Sequence, residues 1–237
     1  MRAQRPRRRP RSWALLPARA AGVGALLLAL SGCGSVHPGA AAVVGDTRVS
    51  FDEVDTLSVA YCQATLAISE VQGSPVTPTQ GIESRRSVVG LILQRELARQ
   101  AADSLGIEVA PAAYVADAQS YEPLVAAVGD EYADEISELV ELTGEATALR
   151  EAIGAQQLEQ DVSELLTRQQ VEEAQQAGQD YITEFASGVE IDIDPRLALA
   201  PDGDVLAETG SLSAPVSGDA VSSVESVDAL PAAQVCR

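Results

Sequence analysis

Residues 87–109, SVVGLILQRELARQAADSLGIEV, limit what this chain can become. Val88, Val89, Leu91, Ile92 and Leu93 fall within six positions, so the first half is apolar almost all round. The second half narrows to a stripe. Val89, Leu93, Leu97, Ala101 and Leu105 recur every fourth residue, with Arg95, Glu96, Arg99 and Asp103 interspersed. That spacing is helical, and the run is too long for a strand. Gly106 supplies the left-handed residue that ends a helix, and Pro111 stands just beyond. A helix dry all round at its start and wet on one side at its end belongs inside a helical domain. These residues read as core, and they serve function by holding other helices in place.

The rest of the chain supplies those helices. Residues 41–49 (AAVVGDTRV) read as a strand, a turn at Gly45-Asp46 and a short return. Ser50 with Glu53 three residues on has the spacing of a capping box. The helix it opens runs to about Glu70, with Val54, Leu57, Tyr61, Thr65 and Ile68 on one face and Cys62 beside it. Gly73, Pro75, Pro78 and Gly81 mark a loop. After Pro111, the spacing of Tyr114, Val115, Ala118, Tyr121 and Leu124 predicts a third helix, ended by Gly129. An acidic fourth helix is expected over 131–142. Thr143-Gly144 then separates it from one long helical segment over 145–186, in which Gly154 and Gly178 are weak points. Residues 189–193 alternate as a half-buried strand, which needs a partner. Residues 41–49 are the best candidate, so the two ends of the domain meet in a small sheet. The expected fold is mainly α, multi-helix, with a small sheet pairing the N-terminal strand and a C-terminal strand.

The first 32 residues are not part of that domain. Seven arginines lie between Arg2 and Arg19, and residues 20–30 are small and apolar. This order is that of a secretory signal peptide, and the apolar run is too short to span a bilayer. Leu30-Ser31-Gly32-Cys33 resembles the lipobox of bacterial lipoproteins. The resemblance implies cleavage before Cys33, a thioether to diacylglycerol at that sulfur, and a protein held on the extracytoplasmic face of the cell membrane through its lipid alone. Residues 33–40 form a tether carrying His37, the only histidine, which reads as a solvated linker residue. The domain spans 41–199. Residues 200–237, rich in Asp, Gly, Ser, Pro and Ala, read as a loosely ordered tail.

All 35 acids but only nine of the 16 basic residues, every one an arginine, lie beyond Cys33, a net charge of −26. Such a surface repels phosphate backbones and anionic head groups, which excludes nucleic acid as a partner. The absence of lysine beside abundant Ala, Val and Arg points to a GC-rich, actinobacterial genome. With Cys33 given to lipid, Cys62 and Cys236 remain in a compartment that permits disulfides. They either pair with each other, closing a loop of roughly 175 residues, or stand as unpaired or intermolecular thiols.

A strand ending in Ser, a capped helix, an apolar helix closing on Gly-Ile-x-Val, further helices and a returning strand together resemble the N-terminal domain of SurA-like chaperones. The residues that carry this are AAVVGDTRVSFDEVD at 41–55, VVGLILQRELARQAADSLGIEV at 88–109 and VEIDIDPRLAL at 189–199. The resemblance covers about 160 of the 205 residues after position 32. It implies a helical cradle in which the long C-terminal helix and final strand pack back on the N-terminal strand. It also implies partners that are unfolded or exported polypeptides. Related proteins add a parvulin prolyl-isomerase domain, for which residues 109–189 leave no room.

The chemistry of catalysis is not visible. A nucleophile with a positioned base needs a histidine elsewhere than in a tether. Zinc needs several Cys or His ligands, and Asp192 with Asp194 lacks the pattern of a calcium loop. No glycine-rich phosphate loop is present, so neither a metal nor a cofactor is expected. The function implied is a non-catalytic holdase, with Tyr114, Tyr121 and Leu124 as candidate client-contact residues set against the plainer reading of the same residues as core. The other reading is an envelope scaffold that holds one specific folded partner.

Overall fold

The computed structural model describes residues 37–75, 77–116, 118–165, 167–201, 205, 227, 230–231 and 234–237. The predicted signal peptide 1–32, Cys33 and most of the predicted tail lie outside them. The chain divides into Met1–Pro38 and Gly39–Arg237, and the named elements belong to the second unit. Among the described residues it is mainly helical, with five α-helices and a small sheet.

Strand β1 (Ala40–Val44) begins one residue inside the predicted tether, turns at Gly45 and pairs antiparallel with β2 (Thr47–Ser50). Gly45 has φ +56° and its N–H reaches Glu190 O at 2.8 Å, so the turn also fastens the returning chain. Helix α1 (Phe51–Val71) follows at once, because the Ser50 hydroxyl accepts the Glu53 N–H at 3.1 Å. Val54, Leu57 and Cys62 are buried on α1, but Thr65 and Ile68, expected on the same face, are exposed. The α1 face therefore leaves the core about halfway along.

A two-residue strand, β3 (Thr79–Gln80), precedes α2 (Gly81–Leu105), the helix built from the organising stretch. Gly106 at φ +68° ends it as the spacing predicts. Val88, Val89, Ile92 and Leu93 are buried, and the core they form with β1, β2, α1 and the start of α4 is the larger of two. Farther along, Ala98, Ala101 and Ala102 face a second core containing Leu149, Ile153 and Ile182. One helix thus joins both cores.

The third helix differs from the expectation. Pro111–Ala113 is a short 3-10 turn, and α3 is confined to Ala118–Val128, with Pro123 inside it. Tyr114 and Val115 stand between the two. Tyr114, which ends the turn at φ −133° and ψ −18°, is not helical, so the turn does not run on into α3.

The boundary expected at Thr143-Gly144 does not exist. Helix α4 runs unbroken over Ala133–Gln157. The Thr143 hydroxyl bonds back to Leu139 O at 3.0 Å, within the helix, while Leu139, Leu142, Ala146 and Leu149 stay on its buried side. Continuous burial outweighs the cost of about 1 kcal/mol for a helical glycine. The real break comes later, where the sequence suggested one long segment. Glu159 takes a left-handed φ of +55°, and Asp161 accepts the Ser163 N–H at 2.8 Å. Helix α5 (Arg168–Ala186) then starts from a capping box between Thr167 and Gln170. Thr167-x-x-Gln170 was the readable signal for that start.

Strand β4 (Ile191–Ile193) returns antiparallel beside β1, giving the order β2-β1-β4, with Val44 opposite Ile191 and Ala42 opposite Ile193. The pairing of the N-terminal strand with the C-terminal one is thus present. Asp194 accepts the Arg196 N–H and holds its guanidinium at 2.9 Å, and Arg196 lies 4.2 Å over the Phe51 ring. Arg86 Nε donates to Leu197 O at 2.6 Å, tying α2 to the same corner. Finally β5 (Val235–Cys236) pairs with β3, an element with no sequence signal of its own.

Candidate functional site

Two grooves flank α4, and their walls come from residues whose spacing the helices dictate. The first, of about 730 Å³, lies between α4 and the irregular segment after α2. Val109, Tyr114 and Val115 form one wall, Val140 and Ala148 the other. Val115 and Val162 at this groove are 46% and 44% exposed, so apolar surface is open to solvent. Glu108 and Glu151 are its only charged residues among those described. Gly144 sits in the wall because a Cβ there would come 2.7 Å from Tyr114 O. The backbone of the irregular segment therefore rests directly on the helix.

The second groove, of about 800 Å³, opens between α2, α4, α5 and β4. Leu97, Ala146, Ile182 and Ile191 give it an apolar floor, and Gln94, Gln179 and Thr183 add polar groups. Volumes of this size are those of small-ligand and short-peptide sites.

The three candidate contact residues do not share a surface. Tyr114 lines the first groove. Tyr121 and Leu124 are half-buried against the larger core, and the Tyr121 hydroxyl is 2.9 Å from Ser137 Oγ. Their spacing fitted one helical face only because Tyr114 was counted into α3. Val115 and Val162, which sequence reasoning did not single out as contact residues, are the large hydrophobic residues exposed in the groove. The expected helices take in both, Val115 in the third and Val162 in the long segment 145–186, whereas in the structure both lie outside the long helices.

Cys62 and Cys236 are brought together at disulfide bonding distance, with their Cα atoms 5.7 Å apart. The bridge fastens β5 to α1 beside the β3–β5 pair. Cys33 lies outside the described residues. His37 is exposed. Asp194 engages Arg196, whose guanidinium holds that carboxyl below its ordinary range. Among the described residues no three His, Cys, Asp or Glu side chains are grouped as metal ligands would be.

An ionic network joins α2 to α4. Glu96 on α2 is only 6% exposed and pairs with Arg95 at 3.0 Å and Arg99 at 3.2 Å. Arg99 in turn grips Glu145 of α4 through two bonds of 2.7 and 2.6 Å. The hydrogen bond to Glu145 raises the Arg99 pKa further above its ordinary value, despite partial burial. Through these charged hydrogen bonds the network ties α2 to α4. Among the described residues no helix is long and apolar enough to cross a membrane. No family model, curated protein or solved structure matches the chain.

Proposed function

We propose that the chain is a lipid-anchored extracytoplasmic chaperone that holds unfolded or exported polypeptides without catalysing a reaction. The observation that carries this reading is the groove beside Tyr114, whose walls are apolar and whose Val115 and Val162 stay exposed. Exposed apolar surface in a recess marks a binding site for apolar chains. The strongly negative charge keeps a loaded complex soluble. A SurA-N-like cradle is the fold this reading implies. The helices enclosing two cores and the sheet that joins the chain's early and late strands are compatible with it. Anchoring rests on Leu30-Ser31-Gly32-Cys33 alone.

The test is light scattering of a denatured client refolding beside protein lacking residues 1–33. Suppression of aggregation at equimolar or lower ratio, with no faster prolyl isomerisation, is the expected result. No suppression at several-fold excess removes the holdase reading. Capture of one folded envelope protein in its place would favour a scaffold.

A further inference from the structure

The groove between α2, α4, α5 and β4 has an unusual charge. Asp and Glu make up 35 of the chain's 237 residues, yet none lines this groove among the described residues. Among the described residues Arg150 is the one charged residue that lines it. Among the described residues Arg150 pairs with no carboxylate. Its acidic neighbours on α4 are otherwise placed, since Glu145 is held by Arg99 and Glu151 lines the other groove. The Arg150 stem is also confined. Its Cγ lies 3.1 Å from where a Cβ on Gly178 would stand, so the side chain passes close over α5. Confinement lowers the entropy lost when the guanidinium grips a ligand.

A single cation in a recess that is apolar and free of acids among the described residues selects a single anion attached to something apolar. The strongly negative field around the groove turns away polyanions. Gln179 Nε2 donates to Thr183 Oγ1 at 3.3 Å, and the Thr183 hydroxyl donates to Gln179 O at 2.8 Å. The Gln94 amide is therefore the polar group that an alkyl tail would leave without use and a peptide backbone can bond. We propose that this groove binds the C-terminal end of a polypeptide. Its terminal carboxylate pairs with Arg150, and its last apolar side chain lies on Leu97, Ile182 and Ile191. This rests on reading the chain as a polypeptide binder, and it adds a second, end-specific site to the groove beside Tyr114.

The test uses the full chain and fluorescence anisotropy of short N-terminally labelled peptides ending in leucine, as free acid and as C-terminal amide. The free acid should bind about tenfold more tightly than the amide, the scale of a charged hydrogen bond. Arg150→Gln should remove that difference, and Arg150→Lys should keep it at reduced affinity. Circular dichroism reports whether either variant has unfolded, and the Lys variant carries the test if the Gln variant has. Equal binding of acid and amide by the unaltered chain would overturn the proposal while leaving the holdase reading intact. Binding of neither peptide, or displacement of the free acid by a long-chain fatty acid at lower concentration, would overturn it too. Loss of aggregation suppression would instead strike at the holdase reading.

Discussion

Gly154 and Gly178 face each other where α4 crosses α5, so closely that a Cβ on Gly154 would stand 2.8 Å from the Gly178 amide nitrogen. The same Cβ would overlap the Ala174 carbonyl, and a Cβ on Gly178 would overlap the Arg150 carbonyl. Both obstacles are backbone, which cannot rotate aside. What read as two weak points in a helix is the contact that brings two helices together. Gly154→Ala or Gly178→Ala gains up to about 1 kcal/mol of helix propensity but forces the helices apart, costing about 1–3 kcal/mol or more. Denaturant midpoints should fall for both. Gly90→Ala in α2, where an added Cβ meets nothing within 4 Å, should leave the midpoint level or raise it. A fall at Gly90 as large as at Gly154 would reject the close-approach account.

The Cys62–Cys236 bridge spans 174 residues of sequence. Constraint of so long a loop in the unfolded chain has an entropic ceiling of about 5 kcal/mol, and measured bridges usually contribute about 2–4. A Cys62→Ala, Cys236→Ala double variant should therefore melt at lower temperature under oxidising conditions. Adding dithiothreitol should bring the unaltered chain down to the variant. A melting point insensitive to both changes would mean the bridge does not form.

Glu138 provides the pH test. Partial desolvation of its carboxyl raises its pKa above the usual glutamate value, and nearby Glu53 pushes the same way. A folded pKa above the unfolded one means the folded chain holds more protons between the two values. Stability contributed by this group is therefore present at acid pH and lost as pH rises through its raised pKa. Glu138→Gln should raise the melting temperature slightly at neutral pH, and the gain should shrink as pH falls into the carboxylate range. A gain that grew on acidification would contradict the assigned cause.

Arg99 and Glu145 join α2 to α4 by a two-bonded pair. Because Arg99 is 42% exposed, screening holds the coupling near the low end for such geometry, about 1 kcal/mol. A double-mutant cycle with Arg99→Ala and Glu145→Ala reads that coupling in denaturant. Zero coupling would show that the network only fills space.

Residues 87–109 announced α2 because burial, period and a terminal glycine all agreed at one place. The sheet was legible for a related reason: the alternating run at 189–193 had the strand-like run at 41–49 as its best partner. The α4–α5 crossing was not legible. A glycine that weakens an isolated helix and a glycine that admits a neighbour are the same letter, and only the position of α5 separates them. The split at residues 158–167 was hidden by Val162 and Leu165, whose apolar side chains continued the stripe while Glu159 reversed the backbone. Thr167 and Gln170 carried the signal that outweighed them. The first groove was half legible. Tyr114 and Val115 stand in the spacing that predicts a third helix and Val162 in the expected long segment 145–186, but all three lie outside the long helices, where a helical period does not separate exposed from buried.

Those two valines give the most direct test of the groove. Each is nearly half exposed, so replacing it by aspartate buries no charge and should shift the melting temperature little. The groove already carries Glu108 and Glu151, and a further carboxylate on its apolar wall repels an apolar chain seeking that surface. Val115→Asp and Val162→Asp should each weaken suppression of client aggregation, and the double variant more than either. Tyr121→Phe, which removes only the hydroxyl that meets Ser137 away from the groove, should suppress aggregation as the unaltered chain does. If the valine variants held clients undiminished while Tyr121→Phe failed, client contact would have to be sought on α3.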